Sequence, residues 1–550
     1  MKNKYLIILW LCFIASDLYS QITVRERPKE WDSLAYGARF VDRFLPMSIQ
    51  GKLTTNTWGA KNVIPRYTDN GIEDNTWSYW GGNAILGKDG NYHLIVCRWR
   101  EDSKKGHHQW PKSIVVHAIS KNSFGPYKVK NTVGNGHNPE LFQLKDGRFV
   151  VYVIGSYYIS NSLDGPWEKK KFKFNKRDRK IPEGLSNLTF AKREDGSFLM
   201  ICRGGGIWFS QTGITPYNLV SNHSVYPPYN GEYEDPVVWR TDVQYHMIVN
   251  DWKGRIAYHL RSKNGVKWKV EPGEAYIPGI SIYDDGTKVD WYKYERIKVL
   301  QDAYGRPTQA HFAVIDTIKA NDAGSDSHSS KQIMIPLTKE KRLTILNRKE
   351  ITKNTKKIKV EIAAEDGFNP NTDIDLSSLR FGASELVNYG KGSTVIKTNK
   401  KGKNLELIFD GQGNGITKDN FVAKLIGKTR EGKLLFGYAR LPRVVYIESI
   451  LSARMPVFIE NGSNMEVEVE NFGQIVSKPS KIKVSYIKNN EEIEIASGTI
   501  PKLSPFQNTS LKLNYKDVFQ KGVSYPLIVT INSPNQDPVL FEKTIIPLAE

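Results

Sequence analysis

Short apolar runs separated by tight turns recur through the first 320 residues. Each repeat is an apolar strand, a turn of Asp-Gly type and a second apolar strand. The turns lie at Asp89-Gly90, Asp146-Gly147, Asp195-Gly196, Asp242 and, more weakly, Gly305. An Asp-Gly pair between apolar runs is a strong hairpin signal, because both residues tolerate the backbone angles of a two-residue turn. The pattern therefore predicts five β-hairpins, one in each unit of about 50 residues.

A third strand and a second turn follow in most of these units. The second turn carries an aromatic residue, as in Phe124-Gly-Pro-Tyr127 and Asp164-Gly-Pro-Trp167. A unit of three or four antiparallel strands is typical of a propeller blade. The alternative is an unrelated run of hairpins in a β-sandwich, but turns that recur in the same order argue against it. We therefore predict a five-bladed β-propeller, closed by the segment from Tyr36 to Leu45 beside the last blade.

The composition changes near Ser325 to Lys331, where Ser, Asp and His become frequent. Alternating strands resume beyond this boundary, and Met465 to Glu470 alternates strictly between apolar and acidic residues. No segment has a convincing helical period. The sequence thus predicts an all-β protein with an N-terminal five-bladed β-propeller over 21–325. Two β-sandwich domains of immunoglobulin-like type are expected to follow, over 332–442 and 443–550.

The first 20 residues have the features of a secretory signal peptide. Met1 to Lys4 is basic, Tyr5 to Ala15 is apolar but too short to span a bilayer, and a cleavage site follows Ser20. We expect an exported protein, periplasmic or secreted, without a membrane span. Only Cys97 and Cys202 remain after cleavage, which is too few for a disulfide framework, and we expect two buried thiols.

The chain is strongly basic, with 78 Lys and Arg against 58 Asp and Glu and a net charge of +20. The basic residues are scattered among Gly, Trp and Tyr and are not gathered on one patch, which argues against nucleic acid as a partner. An anionic oligosaccharide or polysaccharide suits the charge better, and aromatic residues at 11% suit sugar binding. The alternative is that the charge only keeps the protein soluble.

Polar residues stand at the start of the predicted innermost strands. The repeat alignment brings Asn138, Asn187 and the pair Glu234-Asp235 to one end of the central channel, and Asn83 is expected to join them. Close carboxylates push each other's pKa values apart, which suits acid and base chemistry. The alternative is that these side chains merely line a wet channel.

Residues 60–320 resemble the five-bladed propeller glycosidases, the arabinanase/β-xylosidase and invertase-like group. Glu234-Asp235-Pro236 is similar to the Glu-x-Pro motif that carries the general acid of that group, and the Gly-Pro-Trp turn ending at Trp167 is shared. The resemblance implies that Glu234 is the acid. The group also places an Asp at the start of the first blade, whereas this chain has Trp80-Gly-Gly-Asn83 there. The two-carboxylate mechanism therefore lacks one partner.

Further candidates surround these positions. We expect catalytic roles for four residues, namely Glu234, Asp235, His137 and Glu295. We expect substrate binding by seven others, namely Trp80, Asn83, Arg98, Asn138, Asn187, Arg203 and Arg296. An arginine can bind a carboxylate or sulfate with two parallel hydrogen bonds, and histidine titrates where a base is useful. Each of these residues also has an ordinary structural interpretation.

Three functions remain open at this stage. The first is a glycoside hydrolase-like enzyme acting on the ends of oligosaccharides from an anionic, sulfated or uronate-containing algal polysaccharide such as ulvan. The organisation is similar to that of exported marine bacterial proteins of polysaccharide degradation. The second is a lyase or dehydratase that eliminates across C4 and C5 of a terminal uronate. The third is a non-catalytic glycan-binding protein. No cofactor is required by these hypotheses, and a structural calcium ion is left open.

Overall fold

A computed structural model describes residues 25–56, 61–181, 185–459, 464–488, 490–515 and 523–545. The predicted signal peptide, 1–20, lies outside the described residues. No helix in the described part of the chain is long and apolar enough to cross a membrane. The prediction of an all-β protein is confirmed, because the helical segments there are short. They are four 3-10 turns, Lys29–Ser33, Phe40–Arg43, Gly106–Lys112 and Lys319–Asn321, and the α-helix α1, Ser384–Val387.

A two-stranded ribbon, β1 (Leu53–Thr54) with β2 (Arg66–Tyr67), precedes five larger sheets. The first sheet contains β3 (Trp77–Leu86), β4 (Tyr92–Arg100), β5 (Ile114–Ser120) and β6 (Lys128–Asn135). The second contains β7 (Glu140–Gln143), β8 (Phe149–Val153), β9 (Ser156–Ser160) and β10 (Glu168–Lys171). The third contains β11 (Phe174–Asn175), β12 (Thr189–Lys192), β13 (Phe198–Ile201), β14 (Ile207–Ser210) and β15 (Tyr217–Leu219). In each sheet the strands from the innermost outward follow chain order, except β11, which adds parallel to β15.

The fourth sheet contains β16 (Tyr233–Arg240), β17 (Tyr245–Asp251), β18 (Ile256–Ser262) and β19 (Trp268–Tyr276). The fifth has three strands, β20 (Lys293–Gln301), β21 (Pro307–Ile315) and β22 (Ser330–Pro336). The first strands of the sheets contact one another in turn, β3 with β7, β12 with β16, β16 with β20, and β20 again with β3. Side chains of the second and third sheets join across the remaining gap, where Thr189 donates to Glu140 over 3.4 Å. The five sheets therefore form a closed ring, as propeller blades do.

The ends of the ring are held by backbone contacts near the N-terminus. Phe44 forms an antiparallel bridge with Leu337, and the Leu45 amide donates to the carbonyl of Pro336 over 2.9 Å. The early segment thus lies beside the last blade, where the sequence analysis expects it. In the hairpin turns the glycine takes the left-handed angle, with φ of 90° at Gly147 and 87° at Gly196. Cys97 and Cys202 are free and buried, as predicted.

Two further pairs of sheets follow the ring. The first pair is built from β23 (Leu343–Ile345), β24 (Lys357–Ile362), β25 (Ile374–Gly382), β26 (Val395–Lys401), β27 (Asn404–Asp410), β28 (Val422–Thr429) and β29 (Leu434–Arg440). The second is built from β30 (Leu451–Ala453), β31 (Val457–Phe458), β32 (Asn464–Asn471), β33 (Ser480–Lys488), β34 (Glu491–Ile500), β35 (Asn508–Asn514), β36 (Tyr525–Asn532) and β37 (Val539–Ile545). Each pair encloses a separate apolar core. In β32 the apolar residues Met465, Val467 and Val469 face that core, as their alternation predicts.

Ion pairs connect the ring to both sandwiches. Arg177 in the third blade pairs with Glu470 over 2.6 Å, and its guanidinium is buried. In the fifth blade Arg306 pairs with Glu365 of the first sandwich over 2.6 Å, and both side chains are buried. A buried charge that loses its partner is strongly destabilising, so these pairs hold the modules in fixed contact.

Candidate active site

One position at the entrance of each innermost strand has a left-handed backbone. These residues are Gly81, Asn138, Asn187, Asp235 and Arg296, with φ between 49° and 61°. The register of the strand pairing shifts at this place in the first, fourth and fifth blades. Non-glycine residues seldom adopt such angles, and their recurrence at equivalent places often marks a functional site. The five positions form a ring at one end of the channel, which we call the entrance ring.

Side chains of the entrance ring bond to their neighbours. Asn138 donates from Nδ2 to Oδ1 of Asn187 over 3.1 Å. Arg296 donates from Nη1 to Oδ1 of Asp235 over 3.0 Å, and both side chains are buried. Asn138, Asn187 and Asp235 thus lie where the sequence analysis groups them, at one mouth of the channel, and Arg296 joins them there.

Asn83 does not occupy the ring, and its predicted place there is wrong. The first-blade position belongs to Gly81. The amide of Asn83 donates to the carbonyl of Leu141 over 3.0 Å and accepts from the Leu141 backbone amide over 2.7 Å. These two bonds tie the first blade to the second. The spacing to the hairpin turn indicates Gly81 in the sequence. Asn138 lies eight residues before Asp146 of its turn, and the residue eight before Asp89 of the first turn is Gly81.

Three carboxyl groups meet beside the ring. Glu234 and Glu295 each directly precede a ring residue, and with Asp235 they bring one oxygen apiece within 4.8 Å of one another. Glu234 is part-buried, whereas Asp235 and Glu295 are almost fully buried. The structure therefore brings together three of the four predicted catalytic residues.

Cationic side chains surround the carboxyl cluster. Glu295 pairs with Lys319 over 2.5 Å and with Lys293 over 3.1 Å. Arg203 approaches Glu234 to 3.7 Å. Three carboxylates would suit a divalent cation. Both oxygens of Glu295 also accept hydrogen bonds from lysines, Oε1 from Lys293 and Oε2 from Lys319.

The pKa values of the two glutamates shift in opposite directions. Burial, together with the charges of Asp235 and Glu295, raises the pKa of Glu234 to about 8. Burial would also raise the pKa of Glu295, but Lys319 and Lys293 outweigh it and hold that pKa well below the ordinary value. At neutral pH Glu234 therefore keeps its proton while Glu295 is ionised. Such a pair supplies an acid and a base within one site.

His137 and Trp80 occupy the sequence position that the two glutamates occupy in their blades, one residue before the residue of the entrance ring. The Nδ1 atom of His137 lies 2.9 Å from the hydroxyl of Ser113, and its ring packs against Trp110. Burial, with the charges of Arg296 and Lys319, lowers the pKa of His137 well below its ordinary value, so the imidazole is neutral.

Trp80 and Arg98 have supporting positions. Trp80 is 2% exposed, and the ammonium of Lys319 lies 5.0 Å from the centre of its ring. It therefore positions Lys319 and offers little surface of its own. Arg98 stacks 4.0 Å above the ring of Trp77 and donates to the hydroxyl of Tyr79 over 3.4 Å. No contact in the described residues joins Arg98 to the carboxyl cluster.

Sequence reasoning missed three residues of the site. Lys293 lies two residues before Glu295 and so shares its strand face, which was a usable signal. Lys319 comes from a 3-10 turn inserted between β21 and β22, and no repeat marks it. Tyr276 ends β19 with its side chain buried and its hydroxyl without a partner in the described part of the chain. Burial and the charges of Asp235 and Glu295 raise its pKa well above the ordinary value.

Comparison with known proteins gives limited likenesses. No family model matches the chain. It is 27% identical to β-mannosyltransferase 5 of Candida albicans over 176 residues, which are 32% of this chain and 27% of that protein. The chain thus spans about a quarter of the length of the curated relative it matches.

Solved structures are similar at 10% identity. The GH43 protein BlXynB of Bacillus licheniformis matches with a TM-score of 0.33, over 85% of this chain and 89% of that one. The periplasmic gluconolactonase PpgL of Pseudomonas aeruginosa matches with a TM-score of 0.24, over 78% of this chain and 100% of that one.

Proposed function

We propose that this protein is an exported carbohydrate-active enzyme of glycoside hydrolase type. Its catalytic domain would be the propeller over 21–325, and the sandwiches over 332–442 and 443–550 would be accessory modules. The observation that carries the proposal is the pairing of a protonated Glu234 with an ionised Glu295, with oxygens no more than 4.8 Å apart. Glycosidases use two carboxyl groups in these two states on either side of the bond they break.

The roles follow from the protonation states. Glu234 would donate its proton to the departing glycosidic oxygen, since it holds that proton at neutral pH. Glu295 or Asp235 would assist at the anomeric carbon. Retaining glycosidases separate the two carboxyl groups by about 5–5.5 Å and inverting ones by about 6.5–9.5 Å. The short separation here favours direct attack by a carboxylate over activation of a water molecule.

The substrate would be an anionic oligosaccharide, attacked at its end. The net charge of +20 and the cations around the cluster support a sulfated or uronate-containing glycan such as ulvan. Asn138 and Asn187 would bind hydroxyl groups at the channel mouth. The match to a β-mannosyltransferase agrees with a carbohydrate substrate but covers too little of either protein to define it.

The direct test replaces Glu234 by Gln and measures the release of new reducing ends from neutral and acidic oligosaccharides. Loss of a general acid should lower the rate by about 10²–10⁴-fold. Glu168→Gln, an exposed glutamate on β10, is the matched control and should retain full activity. Full activity of Glu234→Gln would remove the proposed acid.

Elimination is the second candidate, and one observation favours it. Cations hold the carboxylates, Arg296 holding Asp235 and two lysines holding Glu295. His137, by contrast, is neutral, and among the described residues it forms hydrogen bonds through Nδ1 and not through Nε2. A neutral imidazole could remove the C5 proton of a uronate. Ultraviolet absorbance of an unsaturated uronate distinguishes the reactions. A rise with shortening of the chain indicates a lyase, a rise without shortening a dehydratase, and no rise with new reducing ends a hydrolase. No reaction with any glycan would leave a non-catalytic binding protein.

A further inference from the structure

A narrow crevice opens beside Glu295, between the fourth and fifth blades. Its water-accessible space is about 10 Å³, which is room for about one oxygen-sized atom, and its lining includes Trp252, Arg255, Tyr276, Lys293 and Glu295. Because it adjoins the carboxyl cluster directly, one oxygen of an acidic group on a sugar bound at Glu295 would reach into it.

The polar atoms facing this crevice are mainly donors. The hydroxyl of Tyr276 and Nε1 of Trp252 are both buried and have no partner in the described residues. The ammonium of Lys293 lies 4.9 Å from the centre of the Trp252 ring. Unsatisfied buried donors are rare and call for an explanation, and a bound acceptor is one.

Arg255 has an unusual backbone at the rim of the crevice. It ends the turn between β17 and β18 with φ of +52°, an angle that glycine or asparagine adopts more readily. Its Nε and Nη2 donate to the carbonyl of Tyr292 over 3.1 and 2.9 Å. Its Nη1 donates to none of the described residues, and no carboxylate among them pairs with it. The backbone conformation of this turn does not require an arginine. We therefore attribute the presence of an arginine here to a function of its side chain.

The crevice continues outward along a second, wider one. This second crevice has about 200 Å³ of water-accessible space and shares Arg255 and Pro278 with the first. Arg25 and Arg27 line it. Both arginines pair with carboxylates, Arg25 with Asp251 and Arg27 with Glu274. Among the described residues that line the two crevices, Arg255 is therefore the cation without a carboxylate partner.

We propose that Arg255 and Lys293 bind the acidic group of a sugar unit at the carboxyl cluster, through a carboxylate or a sulfate. The guanidinium presents its free Nη1 edge, and the ammonium, the phenol and the indole supply further donors, which matches the several acceptor oxygens of either group. The first crevice has room for one oxygen of the acidic group, and the wider one has room for the adjoining part of the sugar chain. This inference rests on the proposed function, because it assigns the substrate class of the same site.

The test measures binding by titration calorimetry with ulvan oligosaccharides in native, desulfated and carboxyl-reduced forms. The parent protein carries Glu234→Gln to prevent turnover. Arg255→Gly is the main variant, since glycine relieves the left-handed backbone and should preserve folding, which a thermal melt checks. Arg148→Ala is the matched control, an exposed arginine beside another hairpin turn.

Loss of a charge-assisted contact should weaken binding of the native form about ten-fold or more in Arg255→Gly. The form that lacks the recognised group should bind parent and variant equally, which tells carboxylate from sulfate. Equal binding of the native form by parent and Arg255→Gly would overturn the inference, and so would equal binding of all three forms by the parent, or no binding at all.

The experiments distinguish failure of this inference from failure of the proposed function. If the wild-type protein cleaves neutral and acidic glycans alike and depends on Glu234, the function stands and the anionic site falls. If Arg255→Gly weakens binding while Glu234→Gln leaves activity unchanged in the assay of reducing ends, the anionic site stands and the proposed acid falls.

Discussion

Asp235 and Arg296 occupy the same left-handed position in adjacent blades and form a buried ion pair of 3.0 Å across the channel mouth. The backbone amide of Arg296 also donates to Asp235, over 3.3 Å. The pair joins the fourth blade to the fifth and directly adjoins Glu234 and Glu295. Its integrity should therefore govern both the stability of the ring and the alignment of the carboxyl cluster.

Arg296→Met should reduce the free energy of unfolding by about 3–5 kcal/mol, because it leaves the Asp235 carboxylate buried without its partner. Urea denaturation measures the change. Arg148→Met removes an exposed partner of Asp146 and should cost less than about 1 kcal/mol. The double variant with Asp235→Asn should recover part of the loss. Equal effects of Arg296→Met and Arg148→Met would contradict the structural role of the pair.

Activity should decline as the pH rises past about 8, where Glu234 loses its proton. The free energy of unfolding should also decrease as the pH rises. The folded pKa of Glu234 lies above its ordinary value of 4.5, so the folded state binds more protons than the unfolded state between these values. Its contribution is fully present below about pH 4.5 and is lost as the pH rises to about 8. Unfolding midpoints across this range should slope less in Glu234→Gln, and an unchanged slope would contradict the shift.

Lys319→Met should lower kcat and move the acidic limb of the pH profile upward. Without this ammonium, burial raises the pKa of Glu295, and the carboxylate is protonated over more of the acidic range. Lys319→Arg keeps the charge and should retain part of the activity. Lys130→Met, which removes an exposed ion pair with Asp164, is the control and should leave the profile in place. A drop in kcat with no movement of the limb would argue against an electrostatic role.

Asn83→Leu should destabilise the protein without changing kcat. The variant removes two hydrogen bonds to the backbone of Leu141 and leaves the buried amide and carbonyl of Leu141 unpaired. This should reduce the free energy of unfolding by about 2–3 kcal/mol. Urea denaturation and turnover on the same substrate check both halves. Asn91→Ala, at an exposed hairpin turn, should change neither. A loss of turnover at unchanged stability would return Asn83 to the substrate site.

Gly81→Asp should fold and bring a carboxylate to the first-blade position. A Cβ atom at Gly81 would lie 3.5 Å from Oδ1 of Asn138 and 3.6 Å from Cβ of Arg296, which is ordinary contact. Aspartate and asparagine tolerate left-handed angles better than most residues, so the cost should be about 1 kcal/mol. Release of reducing ends should rise in Gly81→Asp and not in the matched Gly81→Asn. Equal rates in the two variants would show that a first-blade carboxylate is not what limits hydrolysis.

The sequence by itself determined the strands and the chemistry at their entrances. Alternating apolar residues and Asp-Gly turns are local signals, because a strand hides every second side chain and a hairpin turn needs particular backbone angles. They located the hairpins, the buried thiols and the positions of Asn138, Asn187 and Glu234. Counting back from the turns would also have located Gly81, had the register been followed.

Only the tertiary structure decided which groups meet and in what state. Lys319 reaches Glu295 from an insertion outside the repeat, and Arg296 pairs with Asp235 across 61 positions of sequence. Protonation depends on burial and on charges brought near by folding, so Glu234 and Glu295 look alike in the sequence and titrate in opposite directions in the fold. Local patterns carry no information about such distances, which closure of the ring alone sets.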